Sequence, residues 1–304
     1  MYKVFCLNNI SEMGLRSFSS DYRIVDSIDD ADVLLVRSAN MHEMEIPSSV
    51  KCVARAGAGV NNIPLEKLAE RGIPVFNTPG ANANAVKELV LAGMLLASRD
   101  IIGGNEWVRE NAEDKNIAKS AEKAKKAFAG FEIEGKTLGI IGLGAIGQKV
   151  ERAAGALGMQ CVGNDPYIDQ DNFPFSPSLR VEGNINILYQ MSDYITIHVP
   201  ATPDTIGMID STVLNMMKDG VVFLNFSRDT LVNDDDMANA LESGKVAKYV
   251  TDFANPKVAK MKNTIGLPHL GASTQEAEDN CAKMAAQEVM KYLETGEKVH
   301  CVNL

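Results

Sequence analysis

Residues 136–165 read KTLGIIGLGAIGQKVERAAGALGMQCVGND, and no other stretch restricts the fold so tightly. Thr137–Ile141 is an apolar run of the length of a buried strand. Gly142-Leu143-Gly144-Ala145-Ile146-Gly147 follows at once. Val150, Ala153, Ala154 and Leu157 then recur at helical spacing until Gly158 ends the helix. A second apolar run, Gln160–Gly163, leads to Asp165. Three glycines at this spacing mean little alone. Set between a strand and a helix, with an acid about 20 residues on, they specify a dinucleotide-binding βαβ unit. Gly142 permits the tight turn, Gly144 lets the backbone approach a pyrophosphate, and Gly147 lets helix pack on strand. The N–H groups and positive dipole end of the helix hold the phosphates. Asp165 can accept hydrogen bonds from ribose hydroxyls. It favours NAD over NADP, because a 2′-phosphate would meet a like charge and Pro166 and Tyr167, not an arginine, come next.

At 304 residues the chain has room for two domains with their own cores. A formal net charge of −10 argues against nucleic acid or an anionic membrane surface as the main partner. The five cysteines (Cys6, Cys52, Cys161, Cys281, Cys301) are scattered with no CxxC pair, as expected of thiols in a reducing compartment. The opening MYKVFCLNN lacks the layout of a signal peptide, and no apolar window is long enough to span a bilayer. A cytoplasmic protein is expected.

More than a hundred residues precede the glycine motif, so another domain begins first. Strand signals at Tyr2–Leu7, Asp32–Val36, Cys52–Ala54 and Val75–Phe76 alternate with helical ones at Ile10–Phe18 and Leu65–Arg71, the pattern of a parallel sheet. Ala81–Ser98 is apolar on nearly all faces, as in a buried helix. Gly103–Phe128 reads as a Lys/Glu/Ala-rich helix with a solvated face. After Asp165, strands are expected at Tyr194–Val199, Val221–Phe226, Val246–Asp252 and Thr264–Leu267. Helices are expected at Thr212–Met217 and Asp234–Ser243, with a last long one over Ser273–Leu293. The fold class is therefore α/β, with two doubly wound parallel-sheet domains: a Rossmann NAD-binding domain over 99–271, and a discontinuous substrate domain over 1–98 plus 272–304.

A nicotinamide protein needs a proton donor or acceptor and a cation that orients the substrate, just past the carboxyl ends of strands. Of four histidines, His42 and His300 fit surface positions, and His198 fits a strand-end residue packed near the cofactor. His269 follows a strand and Pro268, precedes Leu270-Gly271-Ala272, and can exchange a proton near neutral pH. Arg228 follows the strand VVFLNFS, and its planar fork suits a substrate carboxylate. Each could be an ordinary loop residue. On successive strand ends of one nucleotide fold they are more specific. No residue pattern calls for a metal.

With those residues in view, the chain resembles the D-isomer-specific 2-hydroxyacid dehydrogenases over nearly its whole length, through LLVRSAN, ARAGAGVNNIP, FNTPGANANAVKELVLAGML, GKTLGIIGLGAIG, HVPATPDTIGMI, LNFSR and PHLGASTQEAEDN. The resemblance implies hydride transfer between NAD and a D-2-hydroxy acid, a flavodoxin-like substrate domain, and a homodimer. It makes His269 the proton donor or acceptor, and it has Arg228 orient the carboxylate and carbonyl. Backbone at Ala145–Ile146 would hold the pyrophosphate, Asp165 the adenosine ribose and Asp252 the nicotinamide end. His198, Pro200, Thr205, Ser227 and Gly271 would complete the cofactor site.

Within the family, Arg37, Ser38, Arg55, Gly57 and Asn82 match positions lining the substrate in the branch that oxidises 3-phospho-D-glycerate to 3-phosphooxypyruvate, the first step of serine biosynthesis. A phosphate needs a fixed cation and several donors, which Arg37 and Arg55 can supply. Two alternatives stand beside this: a hydroxypyruvate or glyoxylate reductase, and an NAD-sensing protein that binds partners without turnover. The sequence departs from the family at Asp252-Phe253-Ala254-Asn255-Pro256, where Asn255 stands in place of the glutamate that pairs with the histidine, and at Asp229, where glycine is usual. Asp252, Asp229 and Glu278 are the candidate replacement acids. The chain stops at HCVNL, where the family's catalytic core ends, so serine feedback through an appended regulatory domain is not expected.

Overall fold

Strands buried on both faces read as unbroken apolar runs, and those runs form two all-parallel sheets here. The computed structural model describes residues 1–169 and 176–304. The chain divides into two units, Met1–Ala85 with Ala272–Leu304, and Val86–Gly271.

The first unit holds β1 (Tyr2–Cys6), β2 (Tyr22–Ile24), β3 (Val33–Val36), β4 (Cys52–Arg55) and β5 (Val75–Phe76). Their order, β2-β1-β3-β4-β5, is that of a flavodoxin-like sheet. Every residue of β3 is buried. The closing helix, Gln275–Thr295, buries Cys281, Ala282, Ala285 and Val289 in the same core as Val4, Leu35 and Ala54. Thr274 caps its start by accepting from the Ala277 N–H, and Gly296 ends it in the left-handed conformation.

The second unit holds β6 (Thr137–Ile141), β7 (Gln160–Asn164), β8 (Leu179–Val181), β9 (Tyr194–Ile197), β10 (Val221–Asn225), β11 (Val246–Thr251) and β12 (Thr264–Gly266). The order β12-β11-β10-β9-β6-β7-β8 reverses direction between β6 and β9, the crevice where such sheets bind ligands. One face packs Phe223 and Tyr249 among Ile195, Leu214 and Met237, and the other packs Leu138, Ile140 and Leu224 against Val90 and Met94. Burying each such side chain contributes about 1.5–3 kcal/mol. The buried Tyr194 hydroxyl is satisfied by Ser98 Oγ at 2.8 Å.

Three features differ from the sequence reading. The first unit ends at Ala85, not at residue 98, because Val86, Val90, Met94 and Ala97 of the helix Ala83–Ser98 pack in the second unit's core. Gly103–Phe128 is not one helix. It is the helices Ile101–Glu110 and Ile117–Ala124 followed by a 3-10 turn, Lys125–Phe128. Asp114 accounts for the break. Its carboxylate accepts from the Asn116 N–H (2.8 Å) and the Ser120 hydroxyl (2.6 Å), which gives the backbone a turn in place of a helix. Finally, β2, β8 and the helix Ile185–Met191 carry weak signals, the two strands being three residues each. The helix did have one cue: Asn184 caps it by accepting from the Asn186 N–H.

Candidate active site

At the carboxyl end of β6 the glycine loop has the form its spacing requires. Gly142 sits at φ +91°, a backbone conformation costly to any residue with a Cβ. A Cβ there would also meet the His198 carbonyl oxygen at 2.6 Å. A Cβ on Gly147 would lie 2.0 Å from the Gly142 carbonyl oxygen, so the helix Ala145–Ala156 can approach the strand only with glycine there. Gly144 faces open space. It offers no side-chain cap, and the first helical bond runs from Gln148 N–H to the Gly144 carbonyl. The N–H groups of Ala145, Ile146 and Gly147 therefore lack an intrahelical acceptor and suit a pyrophosphate. Asp165, past the end of β7, accepts from the Leu143 N–H (2.8 Å) and the Tyr167 N–H (2.9 Å), which aims the carboxylate across the loop. Lone pairs remain for ribose hydroxyls.

Past β9, the His198 N–H donates to the Ile141 carbonyl and its Nε2 lies 3.0 Å from Thr196 Oγ1. Burial pushes the imidazole down to about 3, so the ring is neutral at physiological pH. Its Nδ1 is buried with no partner among the described residues. An orphaned ring nitrogen beside an open glycine cradle fits a bound dinucleotide that would supply the missing bond. Pro200 and Thr205 belong to the turn that follows, where the Thr205 hydroxyl donates to the Pro200 carbonyl at 2.7 Å.

At the end of β10, buried Asn225 organises the next loop. Its Oδ1 accepts from the Ser227 N–H and its Nδ2 donates to the Arg228 carbonyl (2.8 Å). The Ser227 hydroxyl donates to the Val199 carbonyl at 2.5 Å, tying this loop to the one after β9. Arg228 is exposed and extended, with Nη1 donating to the Ser227 carbonyl at 2.6 Å. Asp229, where glycine is usual in the resembled family, opens a short 3-10 turn and accepts from the Thr230 N–H.

Past β11, Asp252 is 1% exposed. Its Oδ1 accepts from the Leu270 N–H and its Oδ2 from the Gly271 N–H, both at 2.7 Å, while its carbonyl accepts from the His269 N–H at 3.0 Å. One aspartate thus fixes three consecutive N–H groups. His269 itself sits at φ +59°, a left-handed conformation that costs a non-glycine residue about 1–2 kcal/mol. Its ring is exposed and meets Phe253 edge-on at 5.2 Å. Asn255 does not turn toward this loop. Its Nδ2 donates to Asp234 Oδ2, and its Oδ1 accepts from Lys257 and Val258 N–H groups, capping a 3-10 turn.

The other expected residues lie in the first unit, at the carboxyl ends of its strands. Past β3, the Arg37 N–H donates to Asn8 Oδ1 and its Nη2 meets Glu278 Oε1 at 2.7 Å. Ser38 Oγ accepts from Asn8 Nδ2 at 3.5 Å. At the end of β4, Arg55 Nε donates to the Arg37 carbonyl (3.1 Å), and its guanidinium covers Gly57. Asn82 stands just before the helix Ala83–Ser98. Of the three acids considered for His269, Asp252 is engaged by loop N–H groups and Glu278 by Arg37. Two features were missed from sequence. Asn225 had as its signal a polar residue ending an apolar strand. His300, read as a surface residue, is half-buried with Nδ1 2.7 Å from Glu288 Oε1.

The model for the NAD binding domain of the D-isomer specific 2-hydroxyacid dehydrogenases matches residues 91–271. A D-3-phosphoglycerate dehydrogenase of Methanocaldococcus jannaschii is 34% identical over 98% of this chain and 56% of its own length. A hydroxypyruvate reductase of Thermotoga maritima is also 34% identical, over 88% of this chain and 86% of its own. The chain spans about half the length of several of the curated relatives it matches. Among solved structures, an NAD+-bound 3-phosphoglycerate dehydrogenase of Entamoeba histolytica aligns with 100% of this chain and 99% of its own, at a TM-score of 0.79 and 24% identity, a likeness of fold.

Proposed function

We propose that this chain, which belongs to the D-isomer specific 2-hydroxyacid dehydrogenase family, is an NAD-dependent dehydrogenase acting on 3-phospho-D-glycerate. The observation that carries the reading is the convergence of four strand-end loops on one edge of the second unit's sheet: the glycine loop, the His198 loop, the Arg228 loop and the His269 loop pinned by Asp252. The N–H groups of Ala145 and Ile146 and the Asp165 carboxylate would hold NAD, which would supply a hydride acceptor for C2 of the hydroxy acid. Arg228 offers N–H groups to the substrate carboxylate and to the carbonyl oxygen that develops at C2. His269 takes the hydroxyl proton in oxidation and returns it in reduction. Ser227, Thr205 and Pro200 shape the cofactor loops, and Gly271 leaves room beside Asp252. In the first unit Arg37 and Arg55, with Ser38, Gly57 and Asn82, bind the phosphate. We assign oxidation of this phosphorylated hydroxy acid to serine biosynthesis in the cytoplasm.

A second reading, a hydroxypyruvate or glyoxylate reductase, draws on the Thermotoga maritima relative, whose length this chain nearly covers, and on Arg37 already having an acidic partner. NADH oxidation with 3-phosphooxypyruvate, hydroxypyruvate and glyoxylate separates the two. We expect preference for the phosphorylated substrate, and Arg37→Ala to raise its KM about tenfold or more, the cost of one charge-assisted contact at about 1.5–3 kcal/mol. Equal rates on hydroxypyruvate, indifferent to Arg37→Ala, would move the protein to the reductases. Absence of any turnover despite NADH binding would favour an NAD-sensing role.

The chain is further proposed to act as a homodimer. The helix Ile101–Glu110 buries no residue, and Ile101 and Val108, seven positions apart on one face, are each 50% exposed. Ile101→Asp with Val108→Asp should shift the sedimentation coefficient from dimer to monomer. An unchanged dimer would place the interface elsewhere.

A further inference from the structure

We propose that Glu278 is a specificity-determining residue, a built-in counter-ion that occupies Arg37 until the anionic group of a substrate replaces it. This rests on the reading of Arg37 as a phosphate-binding cation.

The main chain of Arg37 is held at both ends, its N–H by Asn8 Oδ1 at 2.9 Å and its carbonyl by Arg55 Nε at 3.1 Å. The backbone is therefore fixed, and the long side chain is the part that can move. Its Nη2 meets Glu278 Oε1 at 2.7 Å, and both side chains are about one-third exposed, at 37% and 34%. Glu278 stands in the first turn of the helix Gln275–Thr295, where the helix dipole favours a negative charge. The turn itself is anchored by the neighbouring acid. Asp279 accepts from the Ser11 hydroxyl and from Gln275 Nε2, so Glu278 holds its place whether or not it is paired. Arg55, whose Nε donates to the Arg37 carbonyl, brings a second guanidinium beside the pair.

Glu278 offsets part of the positive charge that Arg37 and Arg55 bring, whereas a phosphate monoester brings close to −2 at neutral pH. A single-contact ion pair one-third exposed to solvent is weak, whereas a phosphate offers the guanidinium two parallel N–H···O bonds. A phosphorylated substrate therefore displaces Glu278, while one ending in an uncharged hydroxymethyl group leaves the pair intact. Glu278 taxes the phosphorylated ligand and spares the other, which sets the ratio between them.

The test is Glu278→Gln, which keeps the shape and removes the charge. KM is measured for 3-phosphooxypyruvate and hydroxypyruvate, together with the inhibition constant of inorganic phosphate against hydroxypyruvate. The KM for 3-phosphooxypyruvate and the phosphate inhibition constant should each fall about two- to fivefold, the range of one exposed ion pair. The KM for hydroxypyruvate should move by less than this, and raised ionic strength should shrink the difference. Glu278→Asp, which keeps the charge on a shorter stem, should fall between wild type and Glu278→Gln. Equal change in both KM values, or weaker phosphate binding, would overturn the proposal in favour of a purely structural ion pair. Arg37→Ala run in parallel separates the failures. If it leaves the KM ratio untouched, the phosphate reading of Arg37 falls and this inference with it. If it erodes the ratio while Glu278→Gln does not change it, only the counter-ion role falls.

Discussion

His269→Ala should lower kcat by about 10²–10⁴-fold while NADH still binds, because a positioned acid–base group contributes about that much and the ring is exposed at the loop tip, away from the core. The residue occupies a left-handed conformation at φ +59°, where alanine pays a similar backbone cost, so the substitution removes the imidazole without a new steric conflict. His269→Gln, which restores a polar side chain but cannot titrate, should recover little. Single-turnover NADH oxidation beside an NADH fluorescence titration checks both expectations. Near-full turnover in His269→Ala would remove the residue from the chemistry and leave Arg228 as the sole reactive group in this reading.

Asp252→Ala should lower kcat by about 10²-fold and reduce the melting temperature by several degrees. The carboxylate is buried and accepts from two N–H groups at 2.7 Å each. Removing it leaves donors without partners, at about 1–3 kcal/mol apiece, and about 2–4 °C of melting temperature goes with each kcal/mol in a unit of this size. The strained His269 backbone then has less to hold it, so the proton-transfer geometry loosens along with the fold. Asp252→Asn keeps one acceptor oxygen and turns an NH2 toward the other loop N–H, so it should lie between wild type and Asp252→Ala. Calorimetry, kcat and NADH affinity are needed together. A fall in NADH affinity with kcat preserved would assign Asp252 to the nicotinamide end of the cofactor instead of to the histidine loop.

The glycine loop was fully legible because its constraints are local. Gly142 needs a positive φ, Gly147 a missing Cβ, and the acid after the second strand follows at a set distance. His269 and Arg228 were legible as residue types at strand ends. Asn225 was not, since a polar residue closing an apolar strand announces no partner until Ser227 and Arg228 fold back onto it. The break in 101–128 hid for a related reason. Lys, Glu and Ala favour helix through residues 112–128, and one aspartate that hydrogen-bonds its own backbone outweighs them at a single turn.

Side-chain period, glycine placement and strand-end chemistry are written in consecutive residues, so the sequence by itself determined two parallel-sheet domains, a dinucleotide loop and the strand-end positions of Arg228 and His269. Pairing between residues far apart in the chain is not written there. Contacts of Asp252 with 270 and 271 form only within the second unit's fold, and those of Arg37 with 278 and of Arg55 with the carbonyl of residue 37 only within the first unit's. The tertiary structure therefore decided which acid serves which group: Asp252 goes to the histidine loop and Glu278 to Arg37. Each carboxylate takes the donors nearest to it in space, and distance in space is set by the sheet order, not by the order of the chain.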